Sequence, residues 1–179
     1  MTPEMKIRRH GYRLMSLASL GTVVSVTLGM GSALWLLSGH GSLFGAWVVF
    51  GLPWDEASRL PPGDRGLLAL SILVATAAYV VPLAAVRRLG KALYACDALS
   101  PAVATAFMRL AHSLPLSAAL VVAAGVIAAV VRSQQGDWVL HITVDTNPYY
   151  FLLACLCLYS VAHLLRLAVR AAEDARSIV

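Results

Sequence analysis

Four stretches of this chain are too long and too apolar for the interior of a small soluble domain. Leu14–Ser38, Leu67–Val86, Leu114–Val131 and Tyr149–Leu165 contain no Asp, Glu, Lys or Arg. About 20 helical residues cross a hydrocarbon core of about 30 Å. Backbone amides in lipid must be satisfied within their own segment, which restricts such spans to helices or closed barrels. Continuous runs of this length fit helices. The composition agrees: 59% of the 179 residues are hydrophobic and 13% charged, against about 25% charged in soluble domains. The sequence therefore predicts an all-α membrane protein forming one integral domain over residues 1–179, with four transmembrane helices. The first span follows Lys6, Arg8, Arg9 and Arg13, as a signal peptide would. It is nevertheless about twice the length of a signal h-region and lacks a small-x-small cleavage site, so it reads as an uncleaved span.

Orientation follows from where the basic residues fall. The N-terminus carries Lys6, Arg8, Arg9 and Arg13, the loop 87–113 carries Arg87, Arg88, Lys91 and Arg109, and the tail carries Arg166, Arg170 and Arg176. Only Arg59, Arg65 and Arg132 lie on the other side, so eleven of the 14 Lys and Arg fall on one face. The positive-inside rule then places both termini in the cytoplasm of a bacterial inner membrane, with outer loops at 39–66 and 132–148. Trp35, Trp47, Trp54, Trp138, Tyr149 and Tyr150 all map to the outer boundary, where aromatic rings anchor. Between them, Leu43–Trp54 is apolar but too short to span, and reads as an interfacial segment interrupted by Gly45, Gly51 and Pro53. The β-branched run Trp138–Asp145 is a candidate strand whose one evident partner is the first outer loop.

The loop 87–113 has internal organisation. Tyr94–Leu99 breaks a helix continuing from the second span, and Ser100-Pro101 has the form of an N-cap followed by a first-turn proline. Val103, Phe107, Leu110 and Leu114 then repeat at helical spacing. Asn147-Pro148 opens the fourth span in the same manner.

The stretch from Val86-Arg-Arg-Leu-Gly-Lys-Ala-Leu-Tyr94 through Leu99-Ser-Pro101 to Met108-Arg-Leu110, with the ending Tyr159-Ser-Val-Ala-His-Leu-Leu-Arg-Leu-Ala-Val-Arg-Ala-Ala-Glu-Asp174 and Ile178-Val179, resembles the bacterial membrane family catalogued as domain of unknown function 2975. The resemblance covers roughly residues 65–179. Members carry Gly and then Phe-Ser/Thr before the third helix, where this chain has Asp97 and Leu99-Ser100. The resemblance implies four helices, an inner-membrane location and genetic neighbourhood with small helix-turn-helix regulators.

Motifs for chemistry are absent from the sequence. An ionisable group within the bilayer is the usual mark of a proton or ion path, and the four runs hold no Asp, Glu, Lys or Arg. There is no HExxH, GxSxG or Walker loop. Cys96, Cys155 and Cys157 form no CxxC pair and read as packing residues. The expectation is a non-enzymatic protein without metal or cofactor. Two residue sets stand out. Gly21, Ser25, Gly29 and Ala33 recur every four residues on the first span, a small-residue stripe that serves packing within the bundle or against a second copy. Arg87, Arg88, Lys91, Arg109, Arg166 and Arg170 face either anionic headgroups or a cytoplasmic partner. They lack a recognition element for direct nucleic-acid binding.

Three functional readings follow. One is a module that binds or regulates a partner, such as a helix-turn-helix regulator, through its loop and tail. Another is a small-molecule or lipid-handling protein with a cavity opened by Pro82 and Pro115. The third is a b-type haem electron carrier. For that reading His112 and His163 lie near the inner boundary and His40 and His141 near the outer one, but His40 follows Gly39 and His141 is in a loop, so neither of these two sits inside a span as a haem ligand would.

Overall fold

The computed structural model describes residues 3–41, 48–95, 100–134 and 147–177. Helix α1 spans Pro3–Leu37, the strands β1 and β2 span Val48–Val49 and Leu52–Pro53, and the short α2 spans Trp54–Arg59. Three long helices follow: α3 at Pro62–Ala95, α4 at Pro101–Gln134 and α5 at Asn147–Ser177. Four of these helices, α1, α3, α4 and α5, are long and apolar enough to cross a membrane. The chain is an all-α, four-helix, multi-pass membrane protein. The candidate strand at 138–145 lies outside the described residues.

The helices overrun the apolar runs that specify them. α3 and α4 are 34 residues each, or about 51 Å at 1.5 Å per residue, against a hydrocarbon core of about 30 Å. Arg87, Arg88 and Lys91 mark the end of the apolar run without ending the helix, since Arg and Lys are good helix formers. Much of the stretch read as a loop is therefore helix. Ser100 caps α4, its Oγ accepting from Val103 N–H at 3.4 Å and its carbonyl accepting from Val103 and Ala104.

The described residues divide into two compact units, to both of which α1, α3 and α4 contribute. One draws on Met1–Thr22, Val81–Leu116 and Thr143–Val179. Its core is Leu89, Val103 and Ala106, with Phe107, Leu110 and Leu165 packed on them. Here α1 and α3 cross with their backbones in contact at Gly11 and Gly90: a Cβ on either would lie 2.8 Å from the carbonyl oxygen of the other. A buried seam on α5 runs through Ala162 and Val169, with Leu158 and Leu165 half-buried, while Leu156, Val161, Leu164 and Leu167 are exposed as lipid-facing side chains are.

The other unit draws on Val23–Val80 and Ser117–Ile142. Leu36, Leu68, Ala128 and Val131 from the long helices surround Val49, Leu52, Trp54 and Ala57. Part of the segment Leu43–Trp54 packs here. Its described part, from residue 48, folds into a hairpin running into α2, with Val49, Leu52 and Trp54 buried in the protein. The hairpin pairs Val49 with Leu52, which leaves Phe50 and Gly51 as a two-residue turn, both at positive φ (48° and 86°). Such primed turns match the strand twist. Phe50 pays for its left-handed backbone with packing on the core, and Arg132 Nη1 donates to its carbonyl at 3.3 Å. Trp54, read as a membrane anchor, is 5% exposed and donates its indole N–H to the His40 carbonyl. Gly39, at φ 74°, closes α1 with a left-handed residue. Leu60 is extended because Pro61 follows it.

Hydroxyls in the long helices are satisfied locally. Ser19, Thr22, Thr76, Thr105 and Ser160 each donate to the carbonyl four residues earlier, which relieves them of the need for water in lipid. Ser117 differs. Its Oγ crosses from α4 to the Ala78 carbonyl of α3 at 2.6 Å. Pro82 explains why that oxygen is free: a proline has no N–H to give to the carbonyl four residues before it.

Candidate functional site

The small-residue stripe of α1 turns toward α3. A Cβ on Gly29 would strike the Thr76 side chain, coming within 2.6 Å of Cγ2, and one on Gly21 would lie 3.3 Å from a Leu83 methyl. Ala33 is buried and Ser25 half-buried. These glycines let two helices of the same chain approach closely.

The basic residues are arranged differently. Leu89, Val103, Ala106 and Leu165 face inward as core, and helical geometry turns their neighbours outward. Arg87, Arg88, Lys91, Arg109, Arg166 and Arg170 are all exposed. Three of them meet at one place. A groove of about 640 Å³ between α3 and α4 runs from Val81, Ala84, Ala85 and Leu116 to Arg88, Arg109 and His112. A second of about 510 Å³ adjoins it, sharing Arg88, Thr105 and Arg109 and adding Lys91, Ala92 and Ala95. Arg166 and Arg170 line a third of about 320 Å³, between α4 and α5, with Thr105 and Met108 on its other wall. Thr105 and Met108 thus sit on the face of α4 onto which grooves open from both sides. Arg87 lines none of the three.

The electrostatics of these grooves are one-sided. Among the described residues their lining includes five Arg or Lys and no Asp or Glu. Among the described residues, Arg88, Lys91 and Arg109 have neither an ion-pair nor a hydrogen-bond partner. His112 is anchored: a carbonyl can only accept, so the 2.8 Å contact with Met108 O makes Nδ1 the protonated nitrogen. Nε2 is then an acceptor in the neutral ring and a second donor in the charged one. The ring also stands edge-on to Tyr159 of α5, 5.9 Å between centroids.

His163 is exposed and has no ring contact with His112 among the described residues. His141 lies outside them, and so does Cys96. Cys157 is exposed and Cys155 half-buried. No group of three His, Cys, Asp or Glu among the described residues comes together as a metal site would.

Sequence reasoning found the cations but not the surfaces between them. Thr105 and Met108 carry no motif, and their place opposite Arg88 follows from the antiparallel pairing of α3 and α4. The Gly11–Gly90 crossing also went unread. A signal for it exists: Gly costs about 1 kcal/mol in a helix interior, so Gly90 within the helix-favouring Arg-Leu-Gly-Lys-Ala-Leu run implies a backbone approached too closely for a side chain.

Helix length, apolarity and packing define a four-helix multi-pass membrane protein with a basic, grooved surface. No family model, no curated protein and no solved structure matches the chain.

Proposed function

We propose that this chain is a non-enzymatic protein of the bacterial inner membrane, with both termini in the cytoplasm, that recruits an anionic protein partner to the membrane surface. The observation that carries this reading is the exposed basic set Arg87, Arg88, Lys91, Arg109, Arg166 and Arg170 on a packed helical support. A preformed support lowers the ordering cost of binding compared with the same charges on a flexible loop. The positive-inside bias supports a cytoplasmic position for this set. A small helix-turn-helix regulator is the partner class that the resemblance to the domain of unknown function 2975 family suggests, and sequestering or releasing it would be the regulatory act.

The test is affinity purification from native membranes in mild detergent, with mass spectrometry of what co-purifies. A stoichiometric cytoplasmic protein, lost when Arg166 and Arg170 are changed to Gln, is the expected result. Recovery of only this chain and lipid would overturn the recruiting role.

A further inference from the structure

The α3–α4 groove combines three features: cations at one end, an apolar floor beyond them, and an opening to the outside of the helix pair. Its lining passes from Arg88 and Arg109 to Val81, Ala84, Ala85 and Leu116 along the same two helices. The direction of this gradient matches the membrane. Arg88 lies two residues beyond the apolar run of α3 and Arg109 five residues before that of α4, or about 3 Å and about 7.5 Å at the helical rise. Lipid phosphates lie at this level, just outside the hydrocarbon, with acyl chains on its apolar side.

Charge selects among occupants. Arg88 and Lys91 are three apart on one helix face, where like charges repel, and Arg109 lines the same groove from α4. No carboxylate lines the groove among the described residues, so an anion from outside relieves the repulsion within this cluster. A zwitterionic headgroup brings its own cation and gives no net relief. The groove volume of about 640 Å³ falls within the roughly 300–1,000 Å³ of ligand clefts. The small Ala84 and Ala85 side chains leave the floor open where larger residues would fill it.

We infer that the α3–α4 groove is a binding site for an anionic phospholipid, its phosphate held among Arg88, Lys91 and Arg109 and one acyl chain laid along Val81, Ala84, Ala85 and Leu116. Thr105 offers a hydroxyl beside the phosphate, although it also donates to the Pro101 carbonyl. The site rests on the membrane placement of the chain; it shares Arg88, Lys91 and Arg109 with the recruiting surface, whereas Arg166 and Arg170 lie outside it.

The experiment uses the purified full-length chain in neutral detergent, with thermal unfolding and native mass spectrometry read as phosphatidylglycerol, phosphatidylcholine or inorganic phosphate is added. Phosphatidylglycerol is expected to be retained and to raise the unfolding temperature, with phosphatidylcholine well behind. The double variant Arg88→Gln/Arg109→Gln should weaken phosphatidylglycerol binding by roughly 30-fold, as loss of two headgroup-facing cations implies. Both side chains are exposed and the change removes like-charge repulsion, so the unliganded unfolding temperature should not fall. Ala84→Phe, which fills the apolar floor with the cations intact, should also reduce retention. Equal binding of the two lipids, unchanged binding by either variant, or full reproduction of the effect by inorganic phosphate would overturn the site. The assay contains no protein partner, so its failure would leave the recruiting role standing, and a failed co-purification would leave the lipid site standing.

Discussion

Ser117→Ala, made alone and with Pro82→Ala, probes how α3 and α4 are held together. In the native chain the Ala78 carbonyl has lost its helical donor to Pro82 and takes the Ser117 hydroxyl instead, at 2.6 Å. Ala78 is 0% exposed, so water cannot replace that hydroxyl. An unmet buried acceptor costs about 1–3 kcal/mol in soluble proteins. Interhelical hydrogen bonds in membranes average about 0.6 kcal/mol and reach about 1.7. Pro82 removes the i+4 amide that would otherwise serve this carbonyl, so the upper part of the membrane range applies, and Ser117→Ala should cost about 1–2 kcal/mol. With Pro82→Ala the restored amide N–H serves the carbonyl, and the same Ser117→Ala step should cost less than about 0.5 kcal/mol. The assay is reversible unfolding in mixed micelles with increasing SDS, followed by far-ultraviolet circular dichroism. The sign of Pro82→Ala alone does not matter, because the cycle isolates the coupling. An equal cost for Ser117→Ala in both backgrounds would refute the reasoning.

Two further changes test the packing. Gly90→Ala puts a methyl 2.8 Å from both Gly11 O and Met15 N; these are backbone atoms, so the helices must part, at about 1–3 kcal/mol, while Gly125→Ala, with nothing within 4 Å, should be neutral or stabilising by up to about 1 kcal/mol in the same unfolding assay. Adding Gly11→Ala to Gly90→Ala should cost less than the sum of the single changes, since one separation accommodates both methyls. Gly51→Ala forces a side chain onto φ 86° beside the Arg132 guanidinium and should destabilise by about 1–2 kcal/mol; unchanged stability would show that the hairpin turn is not held in this form.

The sequence made the membrane architecture legible because span length and charge depletion are set by the bilayer itself. The Ser100-Pro101 cap was equally readable, being a local matter of one hydroxyl and one missing N–H. Helix ends were harder. Arg87, Arg88 and Lys91 signal where the apolar run stops, yet nothing in them stops a helix, and α3 runs on to Ala95. The hairpin at 48–53 was missed because its signal is two residues per strand, and its burial depends on Leu36, Leu68 and Val131, which are distant in sequence. The basic set was visible residue by residue, but the grooves were not. Pairing Arg88 with Arg109 requires knowing that α3 and α4 lie antiparallel and which face of each is turned outward.

The orientation of the basic end carries both the recruiting role and the lipid site, and it can be measured directly. With Cys96, Cys155 and Cys157 replaced by Ser, single cysteines are placed at Gly63 and Ala95, at opposite ends of α3, and treated in intact spheroplasts with a thiol reagent that cannot cross the membrane. The account predicts that Gly63→Cys is labelled from outside, and that Ala95→Cys is labelled only after the membrane is opened. Labelling of Ala95→Cys in intact spheroplasts, with Gly63→Cys protected, would contradict it.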